Sequence, residues 1–364
     1  MRRPLLLIVV IVTAVTGGFL ACSFRGSPEP EKRESIFDRV VYLENEFVTE
    51  IPPTGRYCDD LWLDTRRINI GDCELYVELE GEGIPLVLIN GGPGGTHHCF
   101  HPWFSRATDT ARVIYYDQRG CGLSDYEPGM AGYSVDQAVG DLEALRIALA
   151  IDKWVVLGYS YGGFLAQYYA TKYPESLAGM ILLGALPGMR VQMLPTRQYD
   201  FLSTEERTRI SEVYAEAPVL AQEHGWDAQK TLALTVYNAH LNGDWKRQNF
   251  YRPSRRDLAQ LALYEWNYDL VHNFRGAISS SLNRIDLTGA FEGCTVPTLI
   301  LEGKWDLTWN TDKPGILANN HPGAKLVIFE NAGHGIYDEE TEPFFATLKD
   351  FLTILPDYRA YLTK

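Results

Sequence analysis

Along the chain, short unbroken apolar runs alternate with stretches in which apolar residues recur every three or four positions. Ile68–Ile70 and Glu74–Glu80 flank Gly71-Asp72 and read as an opening antiparallel hairpin. Leu86-Val87-Leu88-Ile89, Val113-Ile114-Tyr115-Tyr116, Trp154-Val155-Val156-Leu157 and Met180-Ile181-Leu182-Leu183 are continuous apolar runs, the pattern of strands buried on both faces. Between the second and third, Val135, Ala138, Val139, Leu142, Leu145, Ile147 and Leu149 follow a helical spacing behind Ser134-x-x-Gln137, a capping box, which predicts a helix over Ser134–Ala150. Gly162–Tyr173 is a second helix, stopped by Pro174. The alternation resumes with Thr298-Leu299-Ile300-Leu301, then Lys325–Phe329, then a closing helix over about Glu340–Leu355. Such alternation predicts an α/β fold, a mostly parallel sheet with helices on both faces.

Between Pro187 and Gly293 the alternation stops. Ser203–Ala217, Trp226–His240 and Ser254–Asn273 carry helical patterns, with no buried-strand run among them. Residues 187–293 therefore read as an inserted all-helical lid over the strand ends, dividing the core into 68–186 and 294–364. Residues 36–67 form an N-terminal extension.

The first residues differ in kind. Met1-Arg2-Arg3-Pro4 is a positive start, and Leu5–Val15 is apolar apart from Thr13. That run is shorter than the about 20 residues of a spanning helix and suits a signal peptide over residues 1–21. Phe19-Leu20-Ala21-Cys22 resembles the box of bacterial lipoproteins, in which the Cys receives lipid and becomes the mature N-terminus. It departs from that box where Leu is usual at Phe19 and a small residue at Leu20. The resemblance implies lipidation at Cys22 and an exported chain held at a membrane of the bacterial cell envelope. An uncleaved anchor or a plain secretory signal are the alternatives. Residues 22–35 read as a tether, since Ser27–Glu34 is Pro-rich, charged and free of apolar residues.

Composition narrows the function. The 364 residues are 46% hydrophobic and 12% aromatic, which excludes disorder. Lys and Arg number 33 against 47 Asp and Glu, a net charge of −14, which excludes nucleic acid as a partner. The six Cys include no C-x-x-C pair, so no zinc framework is predicted. Cys58–Cys73 is a conceivable bridge, with buried thiols as the alternative. His97-His98-Cys99-Phe100-His101 has the residue types of a metal site. Its place just past a glycine-rich turn reads instead as a substrate rim, and neither metal nor cofactor is called for.

The chemistry sits at three strand ends. Gly158-Tyr159-Ser160-Tyr161-Gly162 fits G-x-S-x-G, with a strand before it and a helix after. Ser160 is the candidate nucleophile, and the alternative is a serine that merely caps the helix. A serine hydroxyl is inert near neutral pH without a base, so a His held by a carboxylate should follow. Asp306 follows the strand ending Leu301-Glu302-Gly303, and His334 lies in Asn331-Ala332-Gly333-His334-Gly335 after the strand ending Phe329. A turn residue or helix cap is the alternative for Asp306, and a surface His for His334. Asn90-Gly91-Gly92-Pro93-Gly94-Gly95 follows the Leu86–Ile89 strand and offers backbone N–H groups to a developing oxyanion. Gly92 and Tyr161 are the expected donors. No Gly-Lys-Ser/Thr follows, which weighs against a nucleotide loop.

Gly-Gly-Pro-Gly after one strand, Asp117-Gln118-Arg119-Gly120-Cys121-Gly122-Leu123-Ser124 after the next, and G-x-S-x-G-G resemble the α/β-hydrolase fold, specifically the prolyl aminopeptidase (proline iminopeptidase) family of serine peptidases. The resemblance spans roughly residues 68 to 355. It implies a nucleophile at Ser160, an acid at Asp306, a base at His334, and release of an N-terminal residue, often Pro, from short peptides. The family usually has His where Asn90 stands. It also implies lid glutamates that receive the substrate ammonium. Glu265 in Tyr264-Glu265-Trp266-Asn267-Tyr268 is the best-placed candidate, with a solvated surface Glu as the alternative, and the clearer pair of lid acids usual in the family is not placed. Two readings compete with the peptidase: an esterase or amidase on the same residues, and a hydrolase-like binding protein without turnover.

Overall fold

The apolar runs assemble into one eight-stranded sheet in a computed structural model that describes residues 47–50, 63–125, 133–188, 202–244, 275–306, 308 and 312–356. Its strands are Asp64–Asn69 (β1), Glu74–Glu80 (β2), Ile84–Ile89 (β3), Ala111–Tyr116 (β4), Trp154–Tyr159 (β5), Leu177–Leu183 (β6), Thr298–Gly303 (β7) and Lys325–Phe329 (β8). They lie in the order β1-β2-β4-β3-β5-β6-β7-β8. β1 and β2 pair antiparallel, β2 is antiparallel to β4, and every later pairing is parallel. β3, β5, β6 and β7 are buried at every position, as their continuous apolar runs require. The edges differ. β1 exposes Asp64, Arg66 and Arg67, and such charges discourage pairing with another chain.

Helices cover both faces. Val135–Ala148 (α1), Tyr161–Lys172 (α2) and Lys313–Asn320 bury residues such as Leu142, Leu145, Phe164 and Leu317 against Val87, Ile89, Val156, Leu182 and Ile300. Thr341–Thr353 packs Phe344, Phe345, Leu348, Phe351 and Leu352 against Leu86, Leu88, Val155, Leu157, Leu299 and Leu301 on the other face. Successive strand residues serve opposite cores, the period-two geometry of a strand. The capping box predicted at α1 is only half made. Ser134 Oγ accepts from Gln137 N at 3.1 Å, but the Gln137 side chain donates to Asp141 Oδ1 at 2.8 Å instead of reaching back.

Between β6 and β7 the described residues hold the helices Thr204–His224 (α3), Ala228–Leu241 (α4) and Arg275–Leu282 (α5), and no strand. α3 runs seven residues beyond the predicted Ala217, through Pro218. Its ends are held independently of that proline, by the reciprocal Ser203–Glu206 capping box and by Gly225 at φ +67°. The predicted Ser254–Asn273 helix lies outside the described residues. Val48 is pinned to α4: its N–H donates to Asn238 Oδ1 at 2.7 Å, and Asn238 Nδ2 donates to its carbonyl at 2.9 Å. Phe47 beside it packs on Leu202, Ile210, Val213 and Ala239. The N-terminal extension therefore touches the inserted helices.

The remaining helices are numbered in chain order: Lys313–Asn320 is α6, Ile336–Glu339 is α7 and Thr341–Thr353 is α8. No helix among the described residues is long and apolar enough to cross a membrane. Cys73, Cys99 and Cys121 are buried free thiols and Cys294 a partly buried one, so Cys73 is not in the bridge considered for it. Burial pushes its thiol up to about 11. Cys58, Cys22 and the tether lie outside the described residues.

His321, buried after α6, stacks on Phe291 and donates from Nε2 to Gln167 Oε1 at 3.1 Å. Burial pushes its imidazole down to about 4. Between the usual histidine value and that one, the unfolded chain binds a proton that the folded chain refuses. Stability is therefore expected to fall as pH drops from about 6.5 to about 4, by roughly 3 kcal/mol from this group alone. Urea midpoints across that window should fall less steeply in His321→Gln, and an unchanged slope would remove His321 from the acid limb.

Candidate active site

The motif around Ser160 is a steric necessity. A Cβ on Gly158 would stand 2.2 Å from the carbonyl of Gly162, and one on Gly162 would stand 2.1 Å from that of Ile89. Between them Ser160 adopts φ +56°, ψ −118°, a conformation that costs a side-chain-bearing residue about 1–3 kcal/mol. The sheet over-determines it. Ser160 N donates to the Leu183 carbonyl at 2.9 Å, and its own carbonyl accepts from Leu186 N and Gly163 N, both at 2.9 Å. Its side chain makes no capping bond to α2, which removes the helix-cap alternative. Ser160 stands at the end of β5 and at the head of α2.

The next strand ends carry His334 and Asp306, the candidate base and acid. Gly184 N donates to the Leu301 carbonyl at 2.9 Å and Trp305 N to that of Ala332 at 3.0 Å, so the ends of β6, β7 and β8 are stitched together. This brings His334 onto Asp306, with Nδ1 2.8 Å from Oδ2. Both are buried, so His334 is not a surface imidazole. The pair lies over Gly184, where a Cβ would meet His334 Nδ1 at 3.0 Å and Asp306 Oδ2 at 3.6 Å. Asp306 Oδ1 accepts from the backbone N–H and the hydroxyl of Thr308. With Nδ1 engaged, Nε2 is the atom left for proton exchange, and the Tyr159 ring stands 4.9 Å from the imidazole.

Behind Asp306 lies a pair of charges that no sequence motif marks. Lys313 Nζ donates to Asp306 Oδ2 at 2.7 Å and sits 2.7 Å from Glu302 Oε2. All three side chains are almost wholly buried. Burial works to raise the Asp306 carboxyl, but His334 and Lys313 outweigh it and hold it well below the usual carboxylate range. Burial pushes Glu302 up to about 7, with Lys313 pulling against it. Lys313 is lowered by burial and raised more by the two acids, so it stays charged. A signal was present: Glu302 ends a continuous apolar run, where an acid needs a buried partner.

The glycine-rich turn passes directly beside Ser160. A Cβ on Gly91 would lie 3.0 Å from Ser160 Cβ, and Gly92 has φ +122°, which favours glycine. Asn90, the departure from the family pattern, supports this turn. Its Nδ2 donates to the carbonyls of Gly91 and Gly95, while Gln118 Nε2 donates to its backbone and side-chain oxygens at 3.1 and 3.2 Å. Gly92 and Tyr161, the candidate oxyanion donors, thus lie in the turn and at the start of α2.

The histidine cluster is not a rim. His97, His98 and His101 are buried. His97 donates from its backbone N–H to Asp117 Oδ1 at 2.8 Å, and Nδ1 lies 2.9 Å from the same oxygen. His97 Nε2 is 3.3 Å from Glu78 Oε1 and His101 Nε2 is 2.8 Å from Oε2. Ligand atoms of Glu78, His97 and His101 lie within 4.8 Å of one another, close enough to share an ion. Glu78 also accepts from the Tyr76 hydroxyl at 2.7 Å and from His101 Nε2 at 2.8 Å. Burial acts to raise Glu78, but His101 and His97 outweigh it and hold the carboxyl well below its usual range. Glu265 lies outside the described residues.

A hydroxyl on a strained turn beside a glycine-rich backbone and an imidazole fixed by a carboxylate are the parts that nucleophilic acyl transfer uses. These features gather at the carboxyl ends of the strands, near the β3–β5 pairing where the strand order reverses.

Comparison with known proteins agrees. The α/β hydrolase fold family matches over residues 84–341. A proline iminopeptidase of Saccharolobus solfataricus is 30% identical over 282 residues, covering 77% of this chain and 87% of that protein. One from Lactobacillus helveticus is 28% identical over 305 residues, with 77% and 94% covered. The crystal structure of a Mycobacterium smegmatis proline iminopeptidase superposes with a TM-score of 0.60 at 21% identity, over 79% of this chain and 97% of that one. That last likeness speaks for the fold alone.

Proposed function

Because the chain belongs to the α/β-hydrolase family, among the proline iminopeptidases, we propose that it is a serine aminopeptidase releasing an N-terminal proline or other apolar residue from short peptides. One observation carries the reading: a strained serine at the head of α2 shares a sheet edge with the His334–Asp306 pair. In this mechanism Ser160 Oγ attacks the carbonyl carbon of the first residue while His334 Nε2 takes its proton. The amides of Gly92 and Tyr161 receive the oxyanion. His334 then gives the proton to the leaving amine, and water, deprotonated by the same imidazole, releases the acyl group from Ser160. Asp306 holds the imidazole in the tautomer this requires.

The inserted helices serve as a lid over this edge, and Glu265 receives the substrate ammonium. A panel of aminoacyl-naphthylamides set against acyl esters tests the assignment, with faster turnover of free-amine substrates expected. The second reading, an esterase or amidase, is favoured by the lack of a clear pair of lid acids in the sequence, where the family usually shows one. Rapid ester cleavage with no dependence on an amine would establish it.

The positive start, apolar run and Cys22 box support export and lipid attachment at the cell envelope. Cys22→Ser should leave the leader poorly processed and move the protein from membrane to soluble fractions. One acyl chain holds only marginally, so lasting attachment needs more than one. An intact mass without lipid, together with full recovery in detergent-free buffer, would refute the anchor.

A further inference from the structure

The buried charges behind Asp306 have no part in the steps above, yet they touch the atom on which those steps depend. Asp306 Oδ2 is shared between two donors, His334 Nδ1 at 2.8 Å and Lys313 Nζ at 2.7 Å. A carboxylate oxygen that served the imidazole alone would put its whole charge at the service of the imidazolium. Here an ammonium competes for it, and Glu302, 2.7 Å from Nζ on the other side, competes for the ammonium. The chain has built this in the interior, where charges are screened least and are costly to retain without purpose.

We propose that Lys313 and Glu302 are positioning residues of the triad: Lys313 draws on the oxygen that holds His334, Glu302 draws Lys313 back, and their balance sets the pH at which the imidazole works as a base. The inference rests on the triad assignment made above. Lys313 also fixes the carboxylate in place, since its two oxygens are then held from three sides, by Lys313, His334 and Thr308.

The other titratable groups around the imidazole do not compete for this role. Tyr159 of β5 lies against the ring. On α7, Asp338 is buried and Glu339 accepts from Gly333 N at 2.6 Å. Lys304 of the β7 turn is paired with Glu330 at the surface. Among the described residues, Lys313 is the cation that touches the acid.

Two substitutions should move the acidic limb of the kcat/KM–pH profile in opposite directions. Lys313→Met removes the nearest positive charge, leaves Asp306 wholly to His334, and should move the limb up by roughly one pH unit. Glu302→Gln removes the negative charge that Glu302 carries when ionised and should move the limb down, by less than Lys313→Met moves it up, because burial already raises Glu302 to about 7. In the double variant, Glu302→Gln should add nothing, because Glu302 beside a neutral thioether in place of the ammonium would be protonated in any case. The substrate is p-nitrophenyl butyrate, which has no amine to titrate, and the rate of fluorophosphonate labelling against pH gives the same limb without turnover.

Opposite shifts establish the proposal. Limbs that stay in place while kcat falls evenly at all pH values overturn it, since a packing role would produce that result. If Lys313→Met does not accumulate as folded protein, Glu302→Gln decides alone: a limb that moves down supports the balance, and one that is unmoved or moves up refutes it. Labelling or turnover surviving in Ser160→Ala would defeat the triad itself, an outcome separate from either.

Discussion

Ser160→Ala is expected to lower kcat by roughly 10⁴- to 10⁶-fold and to abolish labelling by a fluorophosphonate, with the fold intact. The hydroxyl is the only covalent handle on the strained turn, and the turn itself is held by backbone bonds to Leu183 and Leu186 that alanine keeps. Thermal stability should therefore stay near wild type or rise slightly. His334→Ala should cost nearly as much, because members of one catalytic unit fail together and their losses do not add. Asp306→Asn is a sharper probe. It preserves the shape of the contact to His334 Nδ1 but can present an N–H where an acceptor is needed, favouring the wrong tautomer. It also leaves Lys313 beside a neutral amide, so some loss of stability should accompany the loss of rate. Residual rates close to wild type in Ser160→Ala would mean that another nucleophile acts.

The parts of this site that were legible beforehand are those where backbone geometry restricts residue type. Gly158 and Gly162 sit where any Cβ would meet a carbonyl at about 2 Å, so the motif is a direct image of the turn. The strands were legible because burial on both faces leaves no polar position, as in β5 and β6. What escaped notice is long-range pairing. Lys313 lies seven residues from Asp306 and eleven from Glu302 in sequence, and nothing local says that a lysine beside a proline points inward. The histidine cluster failed for the same reason. Its neighbours suggested a rim, but its partners Glu78 and Asp117 come from β2 and the end of β4, 19 and 20 residues from His97. α3 differs in the opposite sense, since it runs past the predicted Ala217 and through Pro218, with caps at both ends.

Acetylating the substrate's amine is expected to cost the wild-type enzyme about 10- to 150-fold in kcat/KM, the worth of a charge-assisted bond of roughly 1.5–3 kcal/mol. The reasoning starts from what separates an aminopeptidase from an esterase built on the same Ser160–His334–Asp306 arrangement. The chemistry at the acyl carbon is common to both, so discrimination has to come from recognition of the ammonium one carbon away. A carboxylate among aromatic rings, as Glu265 is in Tyr264-Glu265-Trp266-Asn267-Tyr268, could desolvate that cation and bind it. Glu265→Gln should then raise KM and lower kcat/KM for free-amine substrates by a factor similar to that of acetylation. Acetylation should cost the Gln variant little more, since both changes remove the same bond. Simple acyl esters, which carry no ammonium, should be cleaved alike by the two forms. Equal losses on esters and amines would assign Glu265 to support of the lid. A wild-type preference for acetylated substrates would instead place the enzyme with the esterases and amidases, its triad unchanged.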